Sequence, residues 1–479
     1  MSKQTADPLG LAGDAPLFAA YLAGLERRAS LGHPFITPGH KGSLSLTGSS
    51  VAGDLGLSGG VDTVKLSHGH LEQAEALAAS LWGADFCRFS VGGSTHGNQA
   101  LALSVGQPGD EVIVSRTLHR SMLIGLVLAG LRPVWVRPAV DPRSGLPGAL
   151  EARALREAIA SHPGAVAIFV GEPSYVGTFG PVTELAAVAH EAGLPLVIDA
   201  AWAAHFGFHP DLPPSAIAAG ADAMVTSAHK VLPSYSQAAL VLTRGDRIDK
   251  ARLGRGLEAT YTTSPAGQIL ASIDASRALL AREGEQLLGR TLASVAEARR
   301  RLQEVEGLEV FGGEGVDPTK LVLLLSGTGA HGVEVEEEMI ARGMPLEMAD
   351  RDTLVALVTL ADTPADVAAL TEALIGVVEK KRGAPRPPLK ASWSVDPETV
   401  LSPREAFFAP SERVTSPRAV GRVSAELIAP YPPGVPVLAP GELVTEEVLA
   451  ALLEAKAEGV RVAYAGDPSL TTLEVVRQP

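Results

Sequence analysis

Short apolar runs alternate with helical patterns over residues 71–243, and this alternation constrains the fold more than any other feature of the chain. Short, continuously apolar runs are typical of strands buried on both faces. A helical stretch between successive runs favours a parallel sheet with helices on both faces. The predicted strands are Phe86–Ser90, Glu111–Ser115, Pro133–Arg137, Ala165–Val170, Leu196–Asp199, Ala223–Ser227 and Ala239–Thr243.

The pattern changes after Thr243, and 479 residues are too many for one hydrophobic core. A long charged helical pattern at Ser272–Glu304 is followed by two predicted strands and a helix, which together indicate a smaller α/β domain. The proline-rich stretch Arg382–Pro388 is the clearest linker. We predict an N-terminal segment (1–55), a large domain (56–250), a small α/β domain with a bridging helix (251–385) and a C-terminal α+β domain (390–479).

Charge and composition exclude several classes of protein. The net charge of −14 argues against a nucleic-acid partner, which requires a basic surface. No apolar run approaches the ~18–20 residues that span a bilayer, and the start of the chain lacks the pattern of a secretory signal, so we expect a cytoplasmic protein with no membrane partner. Cys87 is the only cysteine, and its place in a predicted strand indicates a buried structural thiol.

Lys230 directly follows a predicted strand, within Ser227-Ala228-His229-Lys230. The carboxyl ends of parallel strands are where such sheets bind ligands. A lysine that is shielded from water there has a lowered pKa, and its neutral amine can form a Schiff base. Taken alone, the tetrapeptide favours an exposed loop lysine, because most lysines are solvated.

Asp199 ends another predicted strand, 31 residues before Lys230. A carboxylate in this position suits the pyridine nitrogen of pyridoxal phosphate (PLP), because a protonated ring is the better electron sink. A helix cap or a metal ligand is the alternative for an isolated aspartate. The separation from Lys230 corresponds to about one βαβ unit.

Two further motifs lie at predicted strand ends. Gly92–Asn98 combines glycines and hydroxyls before a helix, as phosphate-binding turns do, although a capped helix after a glycine turn has the same pattern. His119 could stack on a cofactor ring or be an ordinary surface histidine. Together with Asp199 and Lys230, these residues fall at one edge of the predicted sheet. A metal site at His205 and His209 is disfavoured by Pro210, which would break the helix that their spacing requires.

The chain resembles the Orn/Lys/Arg decarboxylases, bacterial PLP enzymes with the aspartate-aminotransferase fold. The resemblance extends over nearly the whole chain, and its most specific segments are Thr37–Gly42 (Thr-Pro-Gly-His-Lys-Gly) and Pro430–Pro436 (Pro-Tyr-Pro-Pro-Gly-Val-Pro). Further matching segments are Gly60–Thr63, Gly93–Asn98, Asp199–Pro210, Ser227–Lys230, Thr263–Pro265 and Pro440–Glu442. The resemblance implies the α/β fold type I of PLP-dependent transferases, with a mainly parallel sheet in the major domain, a smaller α/β domain and a C-terminal α+β domain.

The resemblance also implies roles for individual residues. Lys230 forms the Schiff base with PLP, His229 contacts cofactor or substrate, Asp199 pairs with the pyridine nitrogen, and His119 stacks on the ring. The remaining cofactor contacts that it implies are Ser94, Thr95, His96, Ala201, Trp202 and Ser227, with Thr263 or Ser264 reaching the phosphate of a neighbouring subunit.

The implied reaction is decarboxylation of a basic amino acid to its amine and CO2, by way of a quinonoid intermediate. Arginine is favoured over lysine and lysine over ornithine, and Glu426 and Glu442 are candidates for binding the distal cation of the substrate. The enzyme is expected to be a homodimer or a larger homo-oligomer with shared active sites.

The chain departs from the usual family pattern at His96, Ala200 and Arg120. An aminotransferase, an aldolase-type lyase and a non-catalytic PLP-binding relative are the alternatives.

Overall fold

The computed structural model describes residues 7–30, 35–57, 61–62, 69–431 and 434–478. Some segments used above lie outside these ranges, namely residues 1–6 of the chain start, Gly60 and Thr63 of the second motif, and Pro432 and Pro433 of the C-terminal motif. Within the described ranges, no helix is long and apolar enough to cross a lipid bilayer.

The large domain is built on a seven-stranded sheet with the order β1-β7-β6-β5-β4-β2-β3. Strand β7 is antiparallel to both of its neighbours, and the other neighbouring pairs are parallel. The predicted mainly parallel sheet is therefore confirmed. Its strands are β1 (Phe86–Ser90), β2 (Glu111–Ser115), β3 (Arg132–Val136), β4 (Ile168–Gly171), β5 (Leu196–Asp199), β6 (Ala223–Ser227) and β7 (Ala239–Thr243).

Helices cover both faces of this sheet. Successive residues of a strand point to opposite faces, so Val197 and Ile198 of β5 belong to two different apolar clusters. Cys87 is buried on β1, as predicted, and burial raises the pKa of its thiol. The helices are α1 (Pro16–Ser30), α2 (His70–Trp82), α3 (Gly93–Ser104), α4 (Arg120–Ala129), α5 (Ala152–Ser161), α6 (Val182–Glu191), α7 (Ala228–Val231) and α8 (Lys250–Thr260).

Helix α3 begins at Gly93, so most of the Gly92–Asn98 motif is helical and does not precede the helix as the sequence suggested. The helix packs tightly on the sheet. A Cβ atom at Gly97 would lie 2.7 Å from a methyl group of Val241 and 2.8 Å from one of Val225. Gly97 is thus a helical residue that allows close approach to β6 and β7, and it does not break the helix.

The small domain has a four-stranded antiparallel sheet with the order β10-β11-β9-β8. Helix α9 connects it to the large domain, because Leu270 near its start packs in the large-domain core and Leu302 at its end packs in the small-domain core. The elements are α9 (Gly267–Leu302), β8 (Glu309–Phe311), β9 (Lys320–Leu324), α10 (Gly332–Ala341), β10 (Met348–Ala349), β11 (Thr353–Leu357) and α11 (Pro364–Lys380).

The C-terminal domain has its own apolar cluster, which includes Trp393, Leu438 and Val475. Two antiparallel strand pairs, β12 with β15 and β13 with β14, give it the expected α+β character. The domain boundaries proposed above stay predictions. The elements are α12 (Pro403–Phe408), β12 (Ser411–Thr415), α13 (Ser416–Ala419), β13 (Ala429–Tyr431), α14 (Glu446–Ala457), β14 (Arg461–Ala463) and β15 (Thr472–Val476).

Candidate active site

A cavity of about 380 Å³ lies at the carboxyl ends of β4, β5 and β6, where all three domains meet. Open α/β sheets bind ligands at this edge. Six residues singled out from the sequence line the cavity together. They are His119, Asp199, Ala201, Trp202, His229 and Lys230.

Lys230 lies on α7, a single helical turn that directly follows β6. Its Nζ atom is 3.9 Å from the centre of the Trp202 ring. Burial lowers the pKa of Lys230, although the charges of Asp199 and Glu347 oppose this effect. The neutral form of the amine is therefore favoured here more than on an exposed lysine, and imine formation requires the neutral amine.

Asp199 ends β5 as a buried carboxylate, 5% exposed, that is held by fixed donors. The Asn98 side chain donates a hydrogen bond to its Oδ2 atom at 2.7 Å, and the Ala201 amide donates to Oδ1 at 3.3 Å. Asn98 also donates to the Ser121 hydroxyl at 2.9 Å. Asn98 in α3 thus orients the carboxylate. Asn98 belongs to the Gly92–Asn98 motif, but its role toward Asp199 was not predicted from the sequence.

The two histidines of the cavity have defined hydrogen bonds. His119 caps α4, and its Nδ1 atom accepts from the Ser121 amide at 3.2 Å. His229 donates from Nδ1 to the carbonyl of Ala238 at 2.9 Å, which leaves its Nε2 atom as an acceptor in the neutral ring. Burial is the main cause that lowers the pKa of both residues, so the neutral imidazole is favoured.

The N-terminus of α3 lies beside the end of β6. The Ser227 hydroxyl donates to the Ser94 hydroxyl at 3.1 Å, and Thr95 is exposed in the first turn of the helix. The first amides of a helix have no partners within the helix and favour an anion such as phosphate. Ser94, Thr95 and Ser227 are therefore grouped as a phosphate site would require.

His96, predicted to be a cofactor contact, is engaged elsewhere. Its ring is 3% exposed, with Nδ1 bonded to the Ser90 hydroxyl at 2.8 Å and Nε2 to the carbonyl of Leu257 at 2.9 Å. Neither ring nitrogen is left for a phosphate. His96 instead joins α3 to β1 and α8, and it is not part of the proposed cofactor site.

The two carboxylates suggested for the substrate's distal cation do not line the cavity. Glu442 is paired with Arg116 in the interior, and Glu426 accepts from the amides of Gly466 at 2.6 Å and Glu474 at 2.7 Å. Thr263 and Ser264 follow α8 and are exposed. Their contact with a neighbouring subunit stays a prediction.

Several cavity residues come from distant segments and had no predicted role, although Tyr431 lies in the family motif Pro430–Pro436. Glu347 precedes β10 of the small domain and accepts a 3.1 Å hydrogen bond from the hydroxyl of Tyr175. The Tyr175 ring packs edge to face on Trp202 and on Tyr431 of the C-terminal domain. Tyr464, also from that domain, completes this wall, with the guanidinium of Arg120 4.9 Å from its ring centre.

The cavity combines a shielded amine, a fixed carboxylate and two neutral imidazoles beside a helix N-terminus. No arginine lines it among the residues whose positions are described. Over the same ranges, no group of three or more His, Cys, Asp or Glu side chains could hold a metal ion. The arrangement suits a flat, anionic cofactor with an aldehyde carbon better than it suits a metal.

Comparisons with known proteins agree with this chemistry. Family models described as "Orn/Lys/Arg decarboxylase, major domain" and "Orn/Lys/Arg decarboxylase, C-terminal domain" match residues 21–346 and 388–461. An arginine decarboxylase of Halalkalibacterium halodurans is 32% identical over 97% of this chain and 98% of its own length.

The fold is also similar to those of solved structures. Lysine decarboxylase A from Pseudomonas aeruginosa superposes with a TM-score of 0.80 at 21% identity, covering 98% of this chain and 81% of that one. A structure of SPT with PLP superposes with a TM-score of 0.55 at 17% identity, covering 77% of this chain and 84% of that one.

Proposed function

Because the chain belongs to the Orn/Lys/Arg decarboxylase family, it is a decarboxylase of basic amino acids, and we propose that arginine is its preferred substrate. The preference rests on the relative of Halalkalibacterium halodurans, which is named an arginine decarboxylase and matches this chain over nearly its full length. Lysine is the second candidate, because lysine decarboxylases also match.

The family and its structural neighbours imply PLP as the cofactor. The residues of the cavity fit it, since an amine, a carboxylate and a phosphate-binding helix start occur together. Lys230 would hold the aldehyde carbon, Asp199 the pyridine nitrogen, and His119 a face of the ring. Ser94, Thr95 and Ser227 would hold the phosphate. When bound, PLP supplies an electron sink for the electron pair left by departing CO2.

The protein's own residues then control protons and water. Asp199, fixed by Asn98, would accept a charge-assisted hydrogen bond from a protonated pyridine nitrogen. The protonated amine of Lys230, or the ring of His229 once its Nε2 atom carries a proton, would donate the proton that replaces CO2 at Cα. Trp202 shields the Lys230 amine from water on one side. Lys230 is the residue on which this proposal depends.

Glu347 is our candidate for binding the distal cation of the substrate, in place of Glu426 and Glu442. With Asp199 assigned to the cofactor, Glu347 is the other carboxylate among the cavity-lining residues that are described. Tyr175 donates to one of its oxygens and leaves further acceptor positions for a guanidinium. Tyr431 and Tyr464 also line the cavity, and aromatic rings near the distal cation favour the planar guanidinium of arginine over the ammonium of lysine.

An aminotransferase on the same scaffold would need a cation for the substrate's α-carboxylate. The lack of an arginine among the described lining residues disfavours that reaction. A homodimer or larger oligomer with shared sites is the expected assembly, and the exposed Thr263 and Ser264 are the residues proposed to reach the neighbouring site.

The test is incubation of the PLP-loaded protein with carboxyl-labelled arginine, lysine or ornithine in separate reactions. We expect labelled CO2 and the matching amine, fastest with arginine, and no turnover or cofactor absorbance in Lys230→Ala. Formation of a keto acid without CO2 would replace this proposal by aminotransfer. Activity retained in Lys230→Ala would remove that lysine from the reaction.

A further inference from the structure

Two lysines from different domains contact the same indole ring. Lys230, of the large domain, has its Nζ atom 3.9 Å from the centre of the Trp202 ring, and Lys320 has its Nζ atom 3.6 Å from the same centre. Lys320 is the first residue of β9 in the small domain. Trp202 and Lys230 line the cavity, whereas Lys320 does not.

Lys320 is an unusual lysine because it is 1% exposed. Its Nζ atom has no hydrogen-bond partner within the part of the chain that is described. A buried amine without a partner is costly, and buried lysines are rare for this reason. The Nζ atom lies close to the π face of Trp202, and a desolvated cation over an indole is a favourable pairing. The Tyr175 ring is farther away, with its centre 6.0 Å from Nζ.

The backbone of Lys320 is fixed on both sides. Arg299 of α9 donates to its carbonyl at 2.5 Å. The preceding turn is closed by Asp317, which accepts from the Thr319 amide at 2.9 Å and from the Thr319 hydroxyl at 2.7 Å. Asp317 is also paired with His205 of the large domain at 3.3 Å. The amine of Lys320 is thus held against Trp202 by structure on both sides of the domain boundary.

We propose that Lys320 is a positioning residue of the active site, which holds the indole of Trp202 beside the cofactor lysine from the small-domain side. This inference rests on the proposed function, because it assigns Lys320 a role toward Lys230. Lys320 acts through Trp202 and through its charge, and it does not touch the cavity.

The charge of Lys320 also bears on Lys230. Two like charges near one ring disfavour each other, so each amine is easier to deprotonate than it would be alone. Burial, followed by the charge of Lys230, lowers the pKa of Lys320 to about 8, against the attraction of Asp317 and Glu347. The titratable and charged groups around the two amines include Asp199, His119, His229, Tyr175, His205, Arg299, Asp317 and Glu347.

The first test uses the cofactor-free protein and tryptophan fluorescence. Trp202 emission in the wild type should titrate with a midpoint near pH 8, and Lys320→Met, which keeps the length of the side chain, should abolish this titration. The exposed Lys380, replaced by Met, is the matched control and should leave the titration unchanged. In Trp202→Phe, the Lys320→Met change should have no effect on emission, which assigns the signal to Trp202.

The second test follows capture of PLP by the cofactor-free protein across pH. Loss of the Lys320 charge should make Lys230 easier to protonate, because the two amines lie near one ring. We therefore expect Lys320→Met to capture PLP at pH 7 severalfold more slowly than the wild type. Lys320→Arg keeps the charge and should restore the wild-type capture rate at pH 7.

The two tests separate failure of this inference from failure of the proposed function. If the wild type captures PLP but Lys320→Met has the same fluorescence titration and the same capture profile, the positioning role is wrong. If neither the wild type nor any variant captures PLP, the proposed function fails and the inference falls with it. A folded Lys320→Arg that captures PLP at pH 7 as slowly as Lys320→Met would also overturn the role of the charge. Its fluorescence should not titrate near pH 8, because arginine stays charged there.

Discussion

Arg116 and Glu442 form an ion pair that is completely buried between the large and C-terminal domains, with side chains 0% and 1% exposed. Both guanidinium nitrogens Nη1 and Nη2 bond the carboxylate, the second at 2.8 Å, and the Arg116 Nε donates to the carbonyl of Pro436 at 3.0 Å. The ion pair therefore fixes the segment that carries Val435, a cavity residue, against the large domain. The sequence suggested that Glu442 binds substrate, whereas its contacts in the structure are structural.

Removal of one partner of this pair should be strongly destabilising, because it leaves an uncompensated buried charge. We expect Glu442→Ala to lower the free energy of unfolding by about 3–5 kcal/mol in urea denaturation, and Arg116→Met with Glu442→Leu to recover most of this loss. Glu297, in an exposed pair with Arg300, is the control, and its replacement by Ala should have a much smaller effect on the free energy of unfolding. Equal losses at the two sites would contradict this account.

Asn98 should matter for rate because it fixes Asp199. Loss of a hydrogen bond to a charged group removes about 1.5–3 kcal/mol, so Asn98→Ala should reduce kcat about 10- to 100-fold. His96→Asn, in the same helix but directed away from the cavity, should leave kcat within about threefold once the protein is folded, a ratio that corresponds to well under 1 kcal/mol. Steady-state kinetics of both variants measure this. A larger effect at His96 than at Asn98 would reverse our assignment.

Glu347 and Glu426 can be compared directly as partners of the substrate's distal cation. Glu347→Gln keeps the shape and removes the charge, and it should lower kcat/KM for arginine about 10- to 100-fold, mainly through KM. Glu426→Gln should leave KM unchanged, because its oxygens accept backbone amides of the C-terminal domain. The opposite result would return the role to Glu426.

Buried Glu172 should make stability depend on pH. Burial raises its pKa to about 7, against hydrogen bonds from the amides of Gly180 and Leu150. The folded state therefore binds more protons than the unfolded state between pH ~4.5 and 7, and the contribution of Glu172 to stability is lost as pH rises through this window.

The expected loss is about 3 kcal/mol between pH 4.5 and 8, since burial raises the pKa of Glu172 to about 7. Glu172→Gln cannot titrate and should have a flatter dependence of unfolding free energy on pH, even if its absolute stability differs. Parallel pH dependences in the wild type and Glu172→Gln would show that this carboxyl does not titrate as described.

The sequence located the residues at strand ends correctly. Asp199 ends β5, Lys230 lies in α7, the helical turn that follows β6, and parallel strands necessarily bring their carboxyl ends to one edge. His119 follows from the same rule, since it succeeds β2. These positions depend on the order of strands along the chain, which local apolar patterns reveal.

The assignments that failed involve the direction of a side chain or contacts between distant segments. His96 stands in the phosphate motif, but helical geometry turns its ring inward, toward Ser90 and Leu257. Glu442 stands in a family motif, but its partner Arg116 is 326 residues away. Neither fact could be read from the neighbouring sequence.

The order of apolar and helical segments, by itself, determined the parallel sheet, its functional edge and the lysine and aspartate at that edge, because strand periodicity and chain order are local properties. The tertiary structure alone decided which carboxylate faces the cavity, that Tyr431 reaches it from the C-terminal domain, and that Lys320 is buried against Trp202. These contacts join three domains. They depend on how separately folded cores pack together, and the spacing of residues along the chain carries no record of that packing.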